Sequence, residues 1–290
     1  MANPNPVSGY FVGLTTLDLI YMLDEFPAPN LKHKARSVQV EPGGPACNAA
    51  VTFSRLGGQV TFATVIGEHA LRSVLLDDAR KQEVEIMDLD EHRRSYPPLA
   101  SIFSTPGGDR TILTQARGES EGVLTLSDPI WAMAPDIVLV DGFYMDAALK
   151  VAQKAGHEGI PVVMDGGSWK PRTHELLPFV DILIASADFH LPTHLGDDLW
   201  TYCQQQRISS LAITHGPDPI ELFGGESKME IHVPSINAVD TLGAGDVFHG
   251  AFCWYFLQNR DIALSLSNAS EIAATSCLYS GARGWIKSKA

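Results

Sequence analysis

Short apolar runs alternate with amphipathic helical patterns along most of this chain, which is typical of an α/β protein. Several of these runs are almost continuously apolar, as expected for parallel strands that are buried on both faces of a sheet. The predicted strands are residues 10–14, 60–65, 84–87, 136–141, 161–165, 181–185, 211–214, 220–223 and 229–233. Helices are predicted near residues 51–56, at 69–81, after Asp246 and at 262–279.

Two segments do not fit this alternation. Residues 19–40 alternate irregularly, contain Pro27 and Pro29 and carry a small basic patch, so they are predicted to form strands of a projecting flap and not a helix. Residues 99–103 and 111–113 are predicted to form a hairpin around a glycine-rich turn at 107–109.

The 290 residues, of which 45% are hydrophobic, suffice for one large domain that spans residues 1–290. The formal net charge of −13 argues against nucleic acid or an acidic membrane as the main partner. The net charge does not exclude an anionic nucleotide as a ligand. At contact distance, a local group of backbone amides attracts an anion more strongly than the net charge of the protein repels it.

The four cysteines are far apart and form no C-x-x-C pattern, which indicates reduced thiols. The chain shows no secretory signal pattern and no apolar run long enough to cross a membrane. A soluble cytoplasmic protein is therefore expected.

The clearest chemical signal is the stretch Asp240-Thr-Leu-Gly-Ala-Gly-Asp246. The small residues Gly243, Ala244 and Gly245 leave their amides uncovered at the start of a helix, where the dipole and the unpaired N–H groups favour an anion. A carboxylate at Asp246 would repel a phosphate, but it would serve to take a proton from the group that attacks that phosphate. The alternative is that Asp246 only caps the helix.

A second candidate site precedes the first helix. Asp18 follows the first strand, at the edge of the sheet where ligands bind in α/β proteins. Gly43 and Gly44 again expose backbone before a helix, and Asn48 offers both a donor and an acceptor to a hydroxyl group.

These two blocks resemble the motifs of the ribokinase-like (PfkB) carbohydrate kinases, and the resemblance extends from Gly13 to Gly284. The pattern is closest to that of ketohexokinase-like and sulfosugar-kinase-like members. The resemblance implies a ribokinase-like, Rossmann-type three-layer sandwich with a mainly parallel central sheet. It also implies a small β-sheet lid, formed by about residues 19–40 and 99–115, that pairs with a second lid in a homodimer.

The family resemblance further implies transfer of the γ-phosphoryl group of ATP to a primary hydroxyl of a sugar, with a ketohexose as the candidate. Asp246 would be the general base, and the amides of Gly243, Ala244 and Gly245 the anion hole. The implied sugar contacts are Asp18, Gly43, Gly44, Asn48 and Asp141. The implied nucleotide contacts are Thr214, Gly216, Asn268 and Gly281. Arg110 would stabilise the lid turn, and the backbone of Asp240 and Leu242 would hold a monovalent cation such as K⁺.

This chain departs from the family pattern where many relatives have an Asn and a Glu that orient water around Mg²⁺. Ser186 and Phe189 occupy those positions, so Asp165 and Asp188 are the predicted substitutes, acting through water. Two alternatives follow. One is a nucleoside kinase, in which an aromatic residue clamps the base (candidates: Phe26, Phe103 and Phe143), and the other is a catalytically silent sugar or nucleotide sensor.

Overall fold

The computed structural model describes residues 6–94, 96–105, 110–114, 126, 130–196 and 198–287. The strands, in chain order, are β1 (Ser8–Val12), β2 (Thr16–Met22), β3 (Ser37–Gly43), β4 (Gln59–Thr64), β5 (Val84–Asp88), β6 (Leu99–Ser104), β7 (Arg110–Thr114), β8 (Ile137–Val140), β9 (Val162–Gly166), β10 (Ile182–Ser186), β11 (Ser210–His215), β12 (Asp218–Gly224) and β13 (Ser227–Ile231).

The α-helices are α1 (Pro45–Arg55), α2 (Arg72–Lys81), α3 (Met145–Glu158), α4 (Thr173–Leu176), α5 (Leu199–Gln205), α6 (Ala244–Asn259), α7 (Ile262–Ser276) and α8 (Gly284–Lys287). Every strand predicted from the apolar runs is present, with its ends shifted by a few residues. The helix predicted at 69–81 begins later, at Arg72, because the His69 ring contacts the carbonyl of Ile66 and accepts from the amide of Leu71. Such local side-chain contacts favour a turn over a helix.

A nine-stranded sheet runs through the described residues in the order β13-β12-β11-β10-β9-β8-β1-β4-β5. The strands from β11 to β5 in this order are parallel, and β12 and β13 add an antiparallel hairpin at one edge. The carboxyl ends of the parallel strands therefore meet at one edge, where the loops carrying most of the predicted site residues begin.

Helices cover both faces of this sheet, because successive residues of a strand point to opposite sides. In β8, Val138 and Val140 pack with α3, whereas Ile137 and Leu139 pack with residues of α1, α6 and α7. The four side chains are fully buried. The predicted three-layer arrangement with a mainly parallel sheet is confirmed.

The two segments predicted to project form a second, four-stranded sheet in the order β3-β2-β6-β7, which we call the lid. Its first strand begins at Thr16, earlier than predicted, and β3 ends at Gly43. The lid strands therefore include or directly adjoin the two predicted sugar-contacting segments. The inner face packs Ile20 and Ile102 against Leu242. Phe103 lies on the opposite face, stacked on Tyr21 at 5.4 Å between ring centroids.

The crossing of α1 and α6 brings the two predicted motifs together. Gly250 of α6 lies against the backbone of α1, so that a Cβ added there would come within 2.2 Å of the Ala49 carbonyl oxygen. Only glycine permits this approach, since real Cβ contacts are never so short. The close crossing fixes the start of α6 relative to Asn48, which precedes Ala49.

Gly250→Ala is expected to destabilise the protein by about 1–3 kcal/mol, the usual cost of overpacking a core. Because the added methyl group meets backbone, the two helices must separate to accommodate it. Urea unfolding followed by circular dichroism measures the change. Gly156→Ala is the matched control, since a Cβ there meets nothing within 4 Å. Equal stability of the Gly250 and Gly156 variants would contradict the close-crossing argument.

Candidate active site

Asn48 and Asp246 are 198 positions apart in the chain and lie in direct contact. The Asn48 Nδ2 donates a 2.8 Å hydrogen bond to the Asp246 Oδ2. Asn48 comes from the first turn of α1 and Asp246 from the first turn of α6. The N-terminal and C-terminal motifs therefore form one site.

Asp246 does not act as the helix cap that the alternative interpretation required. Gly243 is the N-cap residue of α6, with a φ of 73°, and no side chain caps the helix. Burial raises the pKa of the Asp246 carboxyl to about 7, and the negative charge of Asp165 adds to the effect. The hydrogen bond from Asn48 works in the opposite direction. A carboxyl with this pKa is able to accept a proton near neutral pH.

The turn before Asp246 leaves room for a ligand. A Cβ added to Gly245 would meet no atom within 4 Å. Ala244 and Gly245 are the first residues of α6, so their amides lie at the positive end of a helix of 16 residues. The Ala244 amide already donates a 3.3 Å hydrogen bond to the Thr241 carbonyl. An anion hole at Gly243, Ala244 and Gly245 stays a prediction.

The predicted sugar side is built from Asp18 and the glycine pair. Thr16 Oγ1 donates a 2.6 Å hydrogen bond to the Asp18 Oδ1, and burial raises the pKa of the Asp18 carboxyl. A Cβ on Gly43 would lie 2.0 Å from the Asp18 Oδ2, so only glycine fits beside this carboxylate. Gly44 takes a φ of 100°, which other residues rarely adopt.

Asn48 carries an unused acceptor at this place. Its side chain is 5% exposed, and its Oδ1 has no hydrogen-bond partner among the described residues. A buried acceptor without a partner costs free energy, which a ligand hydroxyl would recover. The contact of Asn48 with a sugar hydroxyl stays a prediction.

Asp141 lies at the end of β8, and backbone amides already occupy its carboxylate. Oδ2 accepts from the amides of Leu14 and Ala46, and Oδ1 accepts from the amide of Phe143. Burial raises the pKa of Asp141 to about 6, against the lowering effect of Lys170. The carboxylate of Asp141 thus connects three loops through hydrogen bonds. The contact of Asp141 with a sugar stays a prediction.

The two predicted metal-site acids differ in their surroundings. Asp165 is 5% exposed, and its Oδ2 lies 3.4 Å from the Nδ1 of His249. Asp188 is exposed, just beyond β10. No group of three or more His, Cys, Asp or Glu side chains suited to a metal occurs in the described part of the chain. The role of Asp165 and Asp188 in holding water around Mg²⁺ stays a prediction; such an ion would be held mainly by nucleotide phosphates and water.

Asp240 fixes the loop before the anion hole. Its Oδ1 accepts from the Leu242 amide and its Oδ2 from the Gly281 amide, both at 2.9 Å. Gly281 is thereby held close to the lid, where a Cβ would lie 3.4 Å from the Glu41 Oε2. The nucleotide contact of Gly281 and the cation site at the Asp240 and Leu242 backbone stay predictions.

The remaining predicted nucleotide contacts lie on β11 and α7. Thr214 Oγ1 donates to the carbonyl of Ala185 at 3.3 Å. Gly216, with a φ of 64°, starts the tight turn between β11 and β12, which Pro217 completes. Asn268 lies on α7 and is partly exposed.

Arg110 contacts the Asp240–Asp246 segment, which the sequence did not indicate. Its Nη1 donates a 2.6 Å hydrogen bond to the Oγ1 of Thr241. The interpretation that Arg110 only stabilises its own turn is therefore too narrow, because the residue also links the lid to the Asp240–Asp246 segment. The turn residues Gly108 and Asp109 lie outside the described residues.

Sequence reasoning also missed His249 and Lys170. His249 is one helical turn beyond Gly245, and this spacing of four residues would have placed the two on one face of α6. Lys170 lies with its Nζ 4.5 Å from the ring centroid of Phe143, close to the buried Asp141. No sequence pattern pointed to Lys170, since its position depends on how the loop after β9 folds.

The four cysteines are buried and unpaired. Over the part of the chain that the structure describes, no helix has the length and apolar character needed to cross a membrane.

Comparison with solved structures supports the predicted ribokinase-like fold. A putative ribokinase from Agrobacterium tumefaciens superposes with a TM-score of 0.83 at 21% identity, covering 98% of this chain and 97% of that one. Arabidopsis thaliana ribokinase, solved with ribose and ATP, gives a TM-score of 0.75 at 20% identity, with 98% of each chain covered. At this identity the likeness establishes the fold.

Curated relatives include more than one kind of sugar kinase. Ribokinase of Bacillus subtilis is 24% identical over 277 residues, which is 94% of each chain. Ketohexokinase of Mus musculus is 21% identical over 291 residues, with 94% of this chain and 97% of that protein covered. The pfkB family carbohydrate kinase model matches residues 10–288. The chain therefore belongs to the pfkB family of carbohydrate kinases and is a sugar kinase.

Proposed function

We propose that this protein transfers the γ-phosphoryl group of ATP to a primary hydroxyl of a sugar, with a ketohexose as the first candidate. The observation that carries the proposal is the 2.8 Å contact between Asn48 and Asp246. It places a buried, unused acceptor for a sugar hydroxyl beside a carboxyl whose pKa of about 7 suits a general base.

The reaction follows from these positions. The sugar hydroxyl, aligned by Asp18 and Asn48, attacks the γ-phosphorus while the bond from that phosphorus to the β-phosphate oxygen breaks, so ADP leaves. The hydroxyl proton passes to the carboxylate of Asp246. The amides of Gly243, Ala244 and Gly245 stabilise the charge on the transferred group. Asp165 and Asp188 would hold the water around a bound Mg²⁺, which would neutralise phosphate charge.

The lid supports the reaction by excluding water, which would otherwise hydrolyse ATP. Its inner face already lies on Leu242, and Arg110 is bonded to Thr241. Both contacts involve the segment just before the anion hole, so lid position and catalytic geometry are coupled.

A coupled ADP-release screen over ketoses, aldoses, sugar acids and nucleosides tests the proposal. We expect sugar-dependent ADP formation well above ATP hydrolysis without sugar. Binding of ATP and a sugar without turnover would instead favour the catalytically silent sensor. Turnover on nucleosides alone would favour the nucleoside kinase.

The nucleoside kinase is the second candidate, and the position of Phe103 weakens it. Phe103 stacks on Tyr21 on the outer face of the lid, whereas Ile102 packs inward against Leu242. An aromatic clamp would therefore have to come from Phe26 or Phe143. Phe143 faces the ammonium group of Lys170 instead.

Replacement of Asp165 and Asp188 by alanine is expected to raise the Mg²⁺ concentration needed for half-maximal rate by roughly 10- to 100-fold, the usual effect of removing groups that orient a metal's ligands. The two single variants, Asp165→Ala and Asp188→Ala, measure how much each residue contributes to the Mg²⁺ requirement. Titration of the initial rate with Mg²⁺ at fixed ATP measures the effect. An unchanged Mg²⁺ requirement and kcat in the double variant would contradict the assignment.

We also propose that the protein is a homodimer that pairs through the outer face of the lid. That face is apolar and partly exposed, and comprises Leu19, Tyr21, Val38, Val40, Phe103 and Leu113. Val38, Val40 and Leu113 are at least half exposed, and contiguous apolar surface with open strand edges is typical of an interface.

Sedimentation at micromolar concentration is expected to give a dimer mass, and Val40→Asp a monomer, because a charge in an apolar interface is costly. Met229→Asp, on β13 of the main sheet, is the matched control and should leave the dimer intact. A monomer mass for the parent protein in the same sedimentation experiment would contradict the proposed dimer.

A further inference from the structure

His249 is a buried polar residue on the same helix as the proposed base, and the mechanism above does not use it. The residue is 6% exposed and lies on α6 at the interface with β9 and β10. The Nδ1 lies 2.7 Å from the Gly245 carbonyl oxygen and 3.4 Å from the Asp165 Oδ2, and the Nε2 lies 3.2 Å from the carbonyl oxygen of Ile184.

The atoms that face both ring nitrogens are acceptors, so an N–H on Nδ1 meets only acceptors, as does one on Nε2. An N–H on Nδ1 donates to the carbonyl of Gly245, at the shorter of the two distances. The Nε2 approaches Ile184, which is paired in register with Asp165 across β10 and β9. The ring thus connects the first turn of α6 to the ends of two strands of the sheet.

The Gly245 carbonyl matters because it shares a rigid peptide plane with the amide of Asp246. Holding the carbonyl fixes the direction of that amide and the Cα to which the Asp246 carboxyl is attached. Apart from the hydrogen bonds inside the helix itself, the first turn of α6 is held by the backbone bond from Val247 to Gly243, by the side-chain bond from Asn48 to Asp246 and by the His249 contact.

We propose that His249 is a positioning residue that locks the anion hole and Asp246 against the ends of β9 and β10. This inference deepens the proposed kinase function and rests on it for its effect on catalysis. The predicted sugar contacts lie on the lid, on its loops, on α1 and at the end of β8, and none lies on α6, so His249 governs the rate of phosphoryl transfer and leaves sugar affinity unchanged.

The test compares His249→Phe, which keeps the ring and removes both nitrogens, with His249→Gln, which keeps one donor. Cys253→Ala is the control, because Cys253 is fully buried one turn further along the same face of α6. We expect His249→Phe to lower kcat by roughly 10²-fold, the effect of a displacement of about 1 Å at a reacting group. His249→Gln should recover part of this loss, and KM for the sugar should stay within about twofold in all three variants.

Amide hydrogen exchange of residues 247–250 gives a second measurement that needs no substrate. Exchange in this segment should be at least about tenfold faster in His249→Phe than in Cys253→Ala, because the first turn of α6 opens more often. If the parent protein phosphorylates no sugar, the proposed function fails, and exchange alone still decides whether His249 holds the turn. Unchanged exchange in His249→Phe, or faster exchange with kcat within about threefold of the parent, would overturn the proposal.

Discussion

Replacement of Asp246 by asparagine is expected to lower kcat by roughly 10²- to 10⁴-fold, the usual contribution of a positioned acid–base group. The substitution keeps the size of the side chain and removes its basicity. It also removes a negative charge that would repel the nucleotide phosphates, so ATP affinity should hold or increase. Single-turnover kinetics gives the rate, and isothermal titration calorimetry with ATP gives the affinity.

Asp261→Asn is the matched control for this change. Asp261 is the N-cap of α7 and accepts a 2.9 Å hydrogen bond from the Leu264 amide, and asparagine caps a helix about as well as aspartate. The control should therefore retain full activity. A kcat of Asp246→Asn within about threefold of the parent value would contradict the assignment of Asp246 as the base.

The same substitution has a predictable effect on stability. Because the pKa of Asp246 is raised to about 7, the folded protein binds this proton more tightly than the unfolded chain does, where an Asp titrates near 3.9. Asp246 therefore favours folding at low pH, and this contribution is lost as pH rises from about 4 to about 7. Above pH 7, Asp246→Asn should melt at a higher temperature than the parent, as measured by calorimetry.

Most of the strands and helices could be predicted from the pattern of apolar residues in the sequence. The strands at the centre of the sheet, such as β8 with its four buried residues, must be apolar on both sides, so their pattern is unambiguous. Patterning misplaced two helix ends, in one case because of a side-chain contact with the local backbone and in the other because of backbone contacts with a distant segment. The ring of His69 delays the start of α2. The carbonyl of Cys277 accepts from the amides of Val239 and Asp240, and α7 ends at Ser276 instead of extending to residue 279.

The candidate site was predictable where motifs are local and unpredictable where partners are distant. The small residues at the starts of α1 and α6, together with the family resemblance, pointed to Asn48 and Asp246. Nothing in the sequence could show that backbone amides satisfy the carboxylate of Asp141, or that Arg110 reaches Thr241. The bonds from Leu14 to Asp141 and from Arg110 to Thr241 join residues more than 100 positions apart, and they depend on how the loops at both ends fold.

Asn48→Leu is expected to lower kcat/KM for the sugar by roughly 10²- to 10³-fold. Leucine is close to asparagine in volume and removes two hydrogen bonds at once, one to the carboxylate of Asp246 and one from the sugar hydroxyl to Oδ1. Because the bond from Asn48 lowers the pKa of Asp246, its loss should raise that pKa further.

The pH profile separates this effect from a loss of packing. In the parent, kcat/KM should rise with pH through about 7, as the carboxyl of Asp246 loses its proton, and level off above. In Asn48→Leu the rise should occur at higher pH. Thr52→Val, one turn further along α1, removes a 2.9 Å bond to the Asn48 carbonyl and should leave the profile in place. A profile of Asn48→Leu that coincides with the parent's would show that Asn48 does not act on Asp246, because the shift arises only if the two side chains are bonded in the working enzyme.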